Sequence, residues 1–147
     1  MMATGRMAPF CLAEIMTMLR TAGLRPTRQR VELAQLMYGA GNRHLSAESL
    51  HAEASAAGIQ VSLATVYNTL NQFTGAGLLR EVAIEGHKTY FDTNTSNHYH
   101  YYIEHEGRIT DIPADDVRVV GLPEAPDGME IRRVDVIVRL GRRLEPE

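Results

Sequence analysis

Apolar residues in the first half of the chain recur at the spacing of amphipathic helices. Leu12, Ile15, Met16 and Leu19 follow the i, i+3, i+4, i+7 rule, and Gly23 is placed to end that helix. Thr27 caps a second helix whose core face carries Leu33, Leu36 and Met37 and which closes at Gly39 and Gly41. His44 then stands in a loop ahead of Ser46, the cap of a third helix running to Ala57, with Gly58 after it. Ser62 caps a fourth helix, along which Leu63, Val66, Leu70 and Phe73 make the apolar stripe.

From Leu79 the helical period gives way to alternation. Two short strands, Leu79–Ile84 and Lys88–Phe91, are joined by a turn at Glu85-Gly86. Helices followed by a hairpin predict a winged helix over residues 1–92. A hinge at 93–97 leads into strands at His98–Ile103 and Arg108–Ile112, a short helix near Ala114–Val120, and a proline-rich turn at Leu122–Asp127. The last strand, Met129–Leu140, places Val134, Val136, Val138 and Leu140 on one face. The fold class is α+β: an N-terminal winged-helix DNA-binding domain followed by an α/β domain over 98–147. So small a second unit cannot bury its own apolar face, so it is expected to dimerise with a second copy.

Composition narrows the picture. The chain has 147 residues, enough for one ordinary domain or two small ones, and no apolar run approaches the ~20 residues of a membrane span. The apolar patch Phe10 to Ala13 is shorter than a secretory core, so a cytoplasmic protein with no membrane partner is expected. The single cysteine, Cys11, excludes an intrachain disulfide and any site built from several thiolates. Net charge is −3. Residues 1–92 hold eight basic against seven acidic residues and 93–147 seven against eleven, giving +1 and −4. Arg20, Arg25, Arg28 and Arg30 form a local basic stripe in the first half, which is compatible with phosphate contact despite the acidic total.

Opposite the apolar stripe of the fourth helix stand Thr65, Tyr67, Asn68 and Asn71, the polar face of a major-groove helix. Asn bonds adenine bidentately, and a tyrosine ring meets a thymine methyl while its hydroxyl reaches phosphate. Arg28 and Arg30 suit phosphate clamping, and Arg25, just before Pro26, suits a narrow minor groove. The plainer reading is a solvated surface helix.

The second constellation is His44, Asp92, His98, His100 and Asp111. His98 and His100, at i and i+2 on a strand, project from one face, where an ion or a haem would meet both imidazoles. Three histidines and two carboxylates suit Fe²⁺ or Mn²⁺, with Zn²⁺ as a substitute, rather than Mg²⁺ or a thiophilic ion. Singly, each residue has an ordinary structural explanation. Their spread over both predicted domains gives the set its interest, because a shared ligand would fix the angle between the domains and the spacing of two reading helices.

The strings GLRPTRQR, HLSAE, SLATVYNTLNQ and AGLLRE, followed by the histidine-rich strand, resemble the ferric uptake regulator family from about Leu19 to Leu140. Within it, TLNQ, KTYFDTNTSNHYHYY and GMEIRRVDVIVRLGRR look most like the iron response regulator (Irr) branch. The resemblance implies a homodimeric repressor or activator that binds double-stranded operator DNA and governs iron and haem homeostasis. It implies a regulatory metal site at His44, Asp92, His98, His100 and Asp111, with Tyr67 as the base-contacting tyrosine. It further implies haem at His98 and His100, release from DNA when haem is plentiful, and a protein of the haem pathway as a further partner.

The chain departs from the family pattern in four places. Ile103 and Glu106 stand where many relatives carry a CxxC pair, so a structural zinc–cysteine site is excluded. Val134 replaces a histidine of a second site. Cys11 is followed by Leu12 rather than proline, so a packed thiol is expected there instead of a haem ligand. Asn68 replaces the arginine common after the tyrosine, which implies a different operator.

Two other readings fit the same residues. A peroxide sensor of the same family would oxidise a histidine such as His44 or His98 through bound Fe²⁺. A metalloenzyme of the facial-triad type ranks below both, since it leaves Arg25 to Asn71 unexplained.

Overall fold

The computed structural model describes residues 10–84, 86 and 88–144. The chain divides into two compact units between Thr95 and Ser96.

The first unit contains α1 (Leu12–Thr21), α2 (Arg28–Tyr38), β1 (His44–Leu45), α3 (Ala47–Ala56), α4 (Leu63–Gly75), β2 (Arg80–Val82) and β3 (Tyr90–Asp92). Three helices start where a hydroxyl satisfies an otherwise orphaned N–H. Thr27 accepts from Arg30 at 3.3 Å, Ser46 from Ser49 at 3.1 Å and Ser62 from Thr65 at 3.1 Å. Gly23, at φ +81°, turns the chain out of α1. At Gly39 the constraint is space, because a Cβ there would collide with the carbonyl oxygen of Gln35.

Ile15, Leu19, Leu33, Met37, Leu50, Val66, Leu70, Phe73 and Phe91 are fully or almost fully buried in one core. Each large side chain contributes about 1.5–3 kcal/mol on leaving water. Leu12 and Leu63, both predicted for core faces, are instead 52% and 37% exposed. Leu12 is the first residue of α1 and Leu63 the first of α4, so neither has a preceding helical turn to shelter it. The predicted loop at His44 is also corrected. His44 and Leu45 form β1, an edge strand too short to leave a periodic signal, giving the antiparallel order β1-β3-β2. Of the predicted Glu85-Gly86 turn, Glu85 lies outside the described residues, as do the opening residues 1–9 that bore on targeting.

The second unit contains β4 (His98–Ile103), β5 (Arg108–Pro113), a 3₁₀ turn at Ala114–Asp116 and β6 (Ile137–Leu140). β4 is central in the order β5-β4-β6, antiparallel to β5 and parallel to β6. The predicted helix at Ala114–Val120 is only that single turn. Val117 already has extended dihedrals (φ −130°, ψ 130°), the conformation favoured by β-branched residues such as Val117, Val119 and Val120. The predicted strand Met129–Leu140 pairs only at its end, opposite His100–Ile103 of β4. Among the described residues no helix is long and apolar enough to cross a membrane.

Candidate metal centre and nucleic-acid interface

The first unit builds its half of the candidate centre by strand pairing. His44 and Asp92 are direct partners across β1 and β3, and the His44 Nε2 lies 3.2 Å from Asp92 Oδ2. The other oxygen, Oδ1, accepts the Asn94 N–H at 2.9 Å, which fixes the carboxylate plane. One residue earlier the pairing continues, with Arg43 N–H on Thr93 Oγ1 (2.9 Å) and Thr93 N–H on the Arg43 carbonyl (3.0 Å). The Arg43 guanidinium forks onto both oxygens of Glu53 in α3 and also donates to the Leu36 carbonyl. That carboxylate holds the Arg43 pKa above its ordinary range. Arg80 of β2 is Asp92's partner on the other side, so the row His44, Asp92, Arg80 crosses the sheet.

In the second unit, alternation along β4 buries His98, His100 and Tyr102 on one face. His100 is the direct partner of Asp111 on β5. Asp111 Oδ1 lies 3.4 Å from His98 Nε2 and 3.7 Å from His100 Nε2. The His98 Nδ1 sits 2.7 Å from the Ser96 carbonyl. A carbonyl oxygen can only accept, so the proton is assigned to Nδ1, which leaves the Nε2 lone pair of the neutral ring for a metal. The two rings meet edge to face, with centroids 4.6 Å apart.

These separations fit a metal shell. Ligands ~2.1 Å from an ion and roughly 90–110° apart lie ~3.0–3.4 Å from one another. The 3.2 Å and 3.4 Å spacings fall in that range and the 3.7 Å spacing slightly beyond it. His98, His100 and Asp111 alone make a two-histidine, one-carboxylate face, a set that leaves coordination positions open.

The DNA-facing candidates divide by exposure. On α4, Val66, Thr69, Leu70 and Phe73 form the buried arc, while Asn68 and Asn71 are exposed opposite it. Thr65 and Tyr67 flank that exposed arc and are half-buried. Thr65 takes the Ser62 hydroxyl at 2.9 Å as part of the helix cap, and Tyr67 donates its hydroxyl to Glu48 of α3. Arg25 is exposed, and Arg28 is exposed and paired with Glu32 at 3.3 Å. Arg30 is more committed, donating to the Arg25 carbonyl and to Gln72 Oε1 of α4, each at 3.0 Å. Cys11, expected as a packed thiol, is exposed because it occupies the cap position ahead of α1 rather than an inward face of the helix. Arg43 and Glu53 carried no sequence signal, since a lone charged residue reads as solvated surface, and Glu48 stood in the HLSAE string with no role attached to it.

The model of the ferric uptake regulator family matches residues 21–138. The chain belongs to the ferric uptake regulator family. The ferric uptake regulation protein of Klebsiella pneumoniae is 33% identical over 128 residues, covering 87% of this chain and 76% of that protein. The ferric uptake regulator of Pseudomonas aeruginosa, solved with manganese, superposes with a TM-score of 0.69 at 27% identity, over 88% of this chain and 98% of that one. The Vibrio cholerae regulator, at 23% identity and a TM-score of 0.67, covers 86% of this chain and 98% of its own and shares the fold. As a ferric uptake regulator family member the chain is a transcriptional regulator and not an enzyme, which removes the metalloenzyme reading.

Proposed function

We propose that this protein is a cytoplasmic, homodimeric, operator-binding regulator of iron homeostasis whose DNA affinity is set by one divalent ion bound to His44, Asp92, His98, His100 and Asp111. The observation that carries the reading is the ligand-like spacing within each half-set. The three-donor face leaves positions open, and His44 with Asp92 supplies two more donors of matching chemistry. Only residues 93–97 separate Asp92 from His98, so a common ion lies within the reach of the chain at ~3.5 Å per residue. Nitrogen and carboxylate donors without thiolate favour Fe²⁺ or Mn²⁺, with Zn²⁺ as a substitute. The manganese-bound Pseudomonas relative supports that choice.

In the DNA-binding part of this reading, Asn68, Asn71 and Tyr67 meet base edges. Thr65, Arg25, Arg28 and Arg30 position the backbone. The Irr resemblance adds haem as a second effector at His98 and His100, and a haem-pathway protein as a source. With the two rings in edge contact there is no slot for a porphyrin between them, so haem in this arrangement takes one of them as an axial ligand, not both. Geometry therefore favours the bare ion.

Binding of the chelated protein to a duplex selected from a random pool tests the proposal, with Mn²⁺, Fe²⁺ and haem then added separately. A gain or loss of affinity with Mn²⁺ or Fe²⁺ is expected. Equal affinity under all four conditions would leave the cluster with a structural role only.

A further inference from the structure

Tyr67 stands beside the exposed arc of α4 with its ring packed against the core of the first unit, and its hydroxyl donates to Glu48 Oε2 at 2.9 Å. Glu48 lies in the first turn of α3, two residues after the Ser46 cap, with its side chain exposed. The helix N-terminus favours a carboxylate there. A backbone N–H and then the Tyr67 hydroxyl hold the Glu48 pKa below its ordinary range, with Lys88 adding to them. The same bond holds the Tyr67 phenol above its own. The contact thus joins a neutral phenol to an ionised carboxylate, a charge-assisted bond.

A carboxylate beside a DNA-reading tyrosine works against phosphate contact in two ways. Its charge repels phosphates, and the penalty falls hardest on non-specific complexes, in which no base contact fixes the register that keeps the backbone clear of Glu48. It also occupies the donor that a phosphate oxygen would otherwise take, leaving the ring, which discriminates bases by contact with a thymine methyl. We propose that Glu48 is a specificity-determining residue of the reading face, one that withholds the Tyr67 hydroxyl from the phosphate backbone and penalises sequence-independent binding. This rests on the reading of α4 as the helix that enters the major groove. Specificity is a difference of affinities, and a repulsive element raises it by weakening the wrong complexes more than the right one.

The test uses the full chain, a duplex selected by the parent protein from a random pool, and a scrambled duplex of the same composition. Glu48→Gln removes the charge and keeps an acceptor for the hydroxyl, whereas Glu48→Ala removes both. Binding of the scrambled duplex should tighten roughly tenfold in Glu48→Gln, with its salt slope steeper by about one, and binding of the selected duplex should tighten by much less. Glu48→Ala should tighten scrambled binding further, and that excess should vanish when Tyr67 is also changed to Phe. Scrambled-duplex affinity and slope equal to the parent's in both variants would overturn the proposal. So would loss of selected-duplex binding with no gain on the scrambled one, the signature of a prop between α3 and α4. Tyr67→Ala separates the two levels: if it leaves the selected duplex bound as tightly as the parent does, the reading of α4 itself fails. If it weakens that duplex while the Glu48 variants behave as the parent, only the role of Glu48 fails.

Discussion

His44 and Asp92 are direct partners across two antiparallel strands, with Nε2 and Oδ2 3.2 Å apart, so half of the candidate centre is set by backbone pairing. A ligand pair held in this way needs no ion to form it. Asp92→Asn keeps an oxygen for the Asn94 N–H and removes the charge. Mn²⁺ affinity, measured by calorimetry, should fall at least tenfold, or ~1.4 kcal/mol, while the melting temperature of the chelated protein stays close to the parent's. Undiminished Mn²⁺ affinity would take Asp92 out of the ligand set.

Arg43 carries that half-site into α3 through its fork on Glu53, a bidentate geometry stronger than an ordinary surface pair. Glu53→Gln should therefore destabilise the protein by about 1 kcal/mol and weaken Mn²⁺ binding as well, because His44 follows Arg43 directly in the chain. Urea denaturation and metal titration of the same variant check both. A stability loss with parental Mn²⁺ affinity would confine the pair to a scaffold role.

On the reading face, Asn68→Ala and Tyr67→Ala should each weaken specific DNA binding by ~1–3 kcal/mol, with a smaller effect on scrambled DNA. Arg28→Ala should weaken all sequences alike and reduce the salt slope by about one. Arg30→Ala should also lower stability, since its guanidinium ties the start of α2 to Gln72. A specificity loss with an unchanged slope in Arg28→Ala would overturn the phosphate assignment.

The parts of the fold readable from sequence are those where one local signal dominates. The Thr27, Ser46 and Ser62 caps mark helix starts because a hydroxyl at that position satisfies an N–H that nothing else reaches. The spacing of Val66, Leu70 and Phe73 identifies the buried arc of α4 for the same local reason. β1 escaped because two residues carry no period and its existence depends on a partner in β3, far along the chain. The predicted helix after Pro113 was over-long because Val117, Val119 and Val120 favour extended backbone, and the last strand because alternation states a preference while a pairing partner determines where a strand begins. At the candidate centre, residue identity was visible in the histidine-rich strand. The positioning pair Arg43 and Glu53, and the Tyr67–Glu48 contact on the reading face, were not, because which side chains a charge meets is a tertiary fact.

Tyr38 gives a pH prediction. Its hydroxyl donates to the Leu78 carbonyl at 2.6 Å, and burial pushes its pKa well above the ordinary phenol range. With the folded value above the unfolded one, this stabilisation is complete below about pH 10 and is lost as pH rises through the folded value. Tyr38→Phe should cost about 1 kcal/mol at neutral pH and reduce the fall in stability above pH ~10. Parallel alkaline limbs for parent and variant would exclude Tyr38 as a contributor.

The second unit leaves Val120, Leu122, Met129 and Ile131 between 51% and 75% exposed, a run of apolar side chains that a second copy would cover. With a single cysteine, no thiolate–zinc clamp contributes to such a pairing. The protein should sediment as a homodimer after exhaustive chelation. A folded monomer at micromolar concentration would contradict the packing argument.

The switch itself is tested at His98 and His100. Their shared carboxylate partner, Asp111, and the Ser96 carbonyl that fixes the His98 tautomer make them the preorganised part of the proposed site. An effector changes DNA affinity only if it binds the DNA-competent and incompetent states differently, and a tenfold difference obliges a change of ~1.4 kcal/mol per coupled site in operator binding. For Mn²⁺ or Fe²⁺ held by all five residues the change can take either sign. For haem the Irr resemblance implies loss of binding. The double substitution His98→Ala with His100→Ala should abolish the response to ion and haem, with chelated DNA affinity near the parent's because neither residue lies on α4. Should the double variant still respond to Mn²⁺, Fe²⁺ and haem as the parent does, the sensing site lies elsewhere in the molecule.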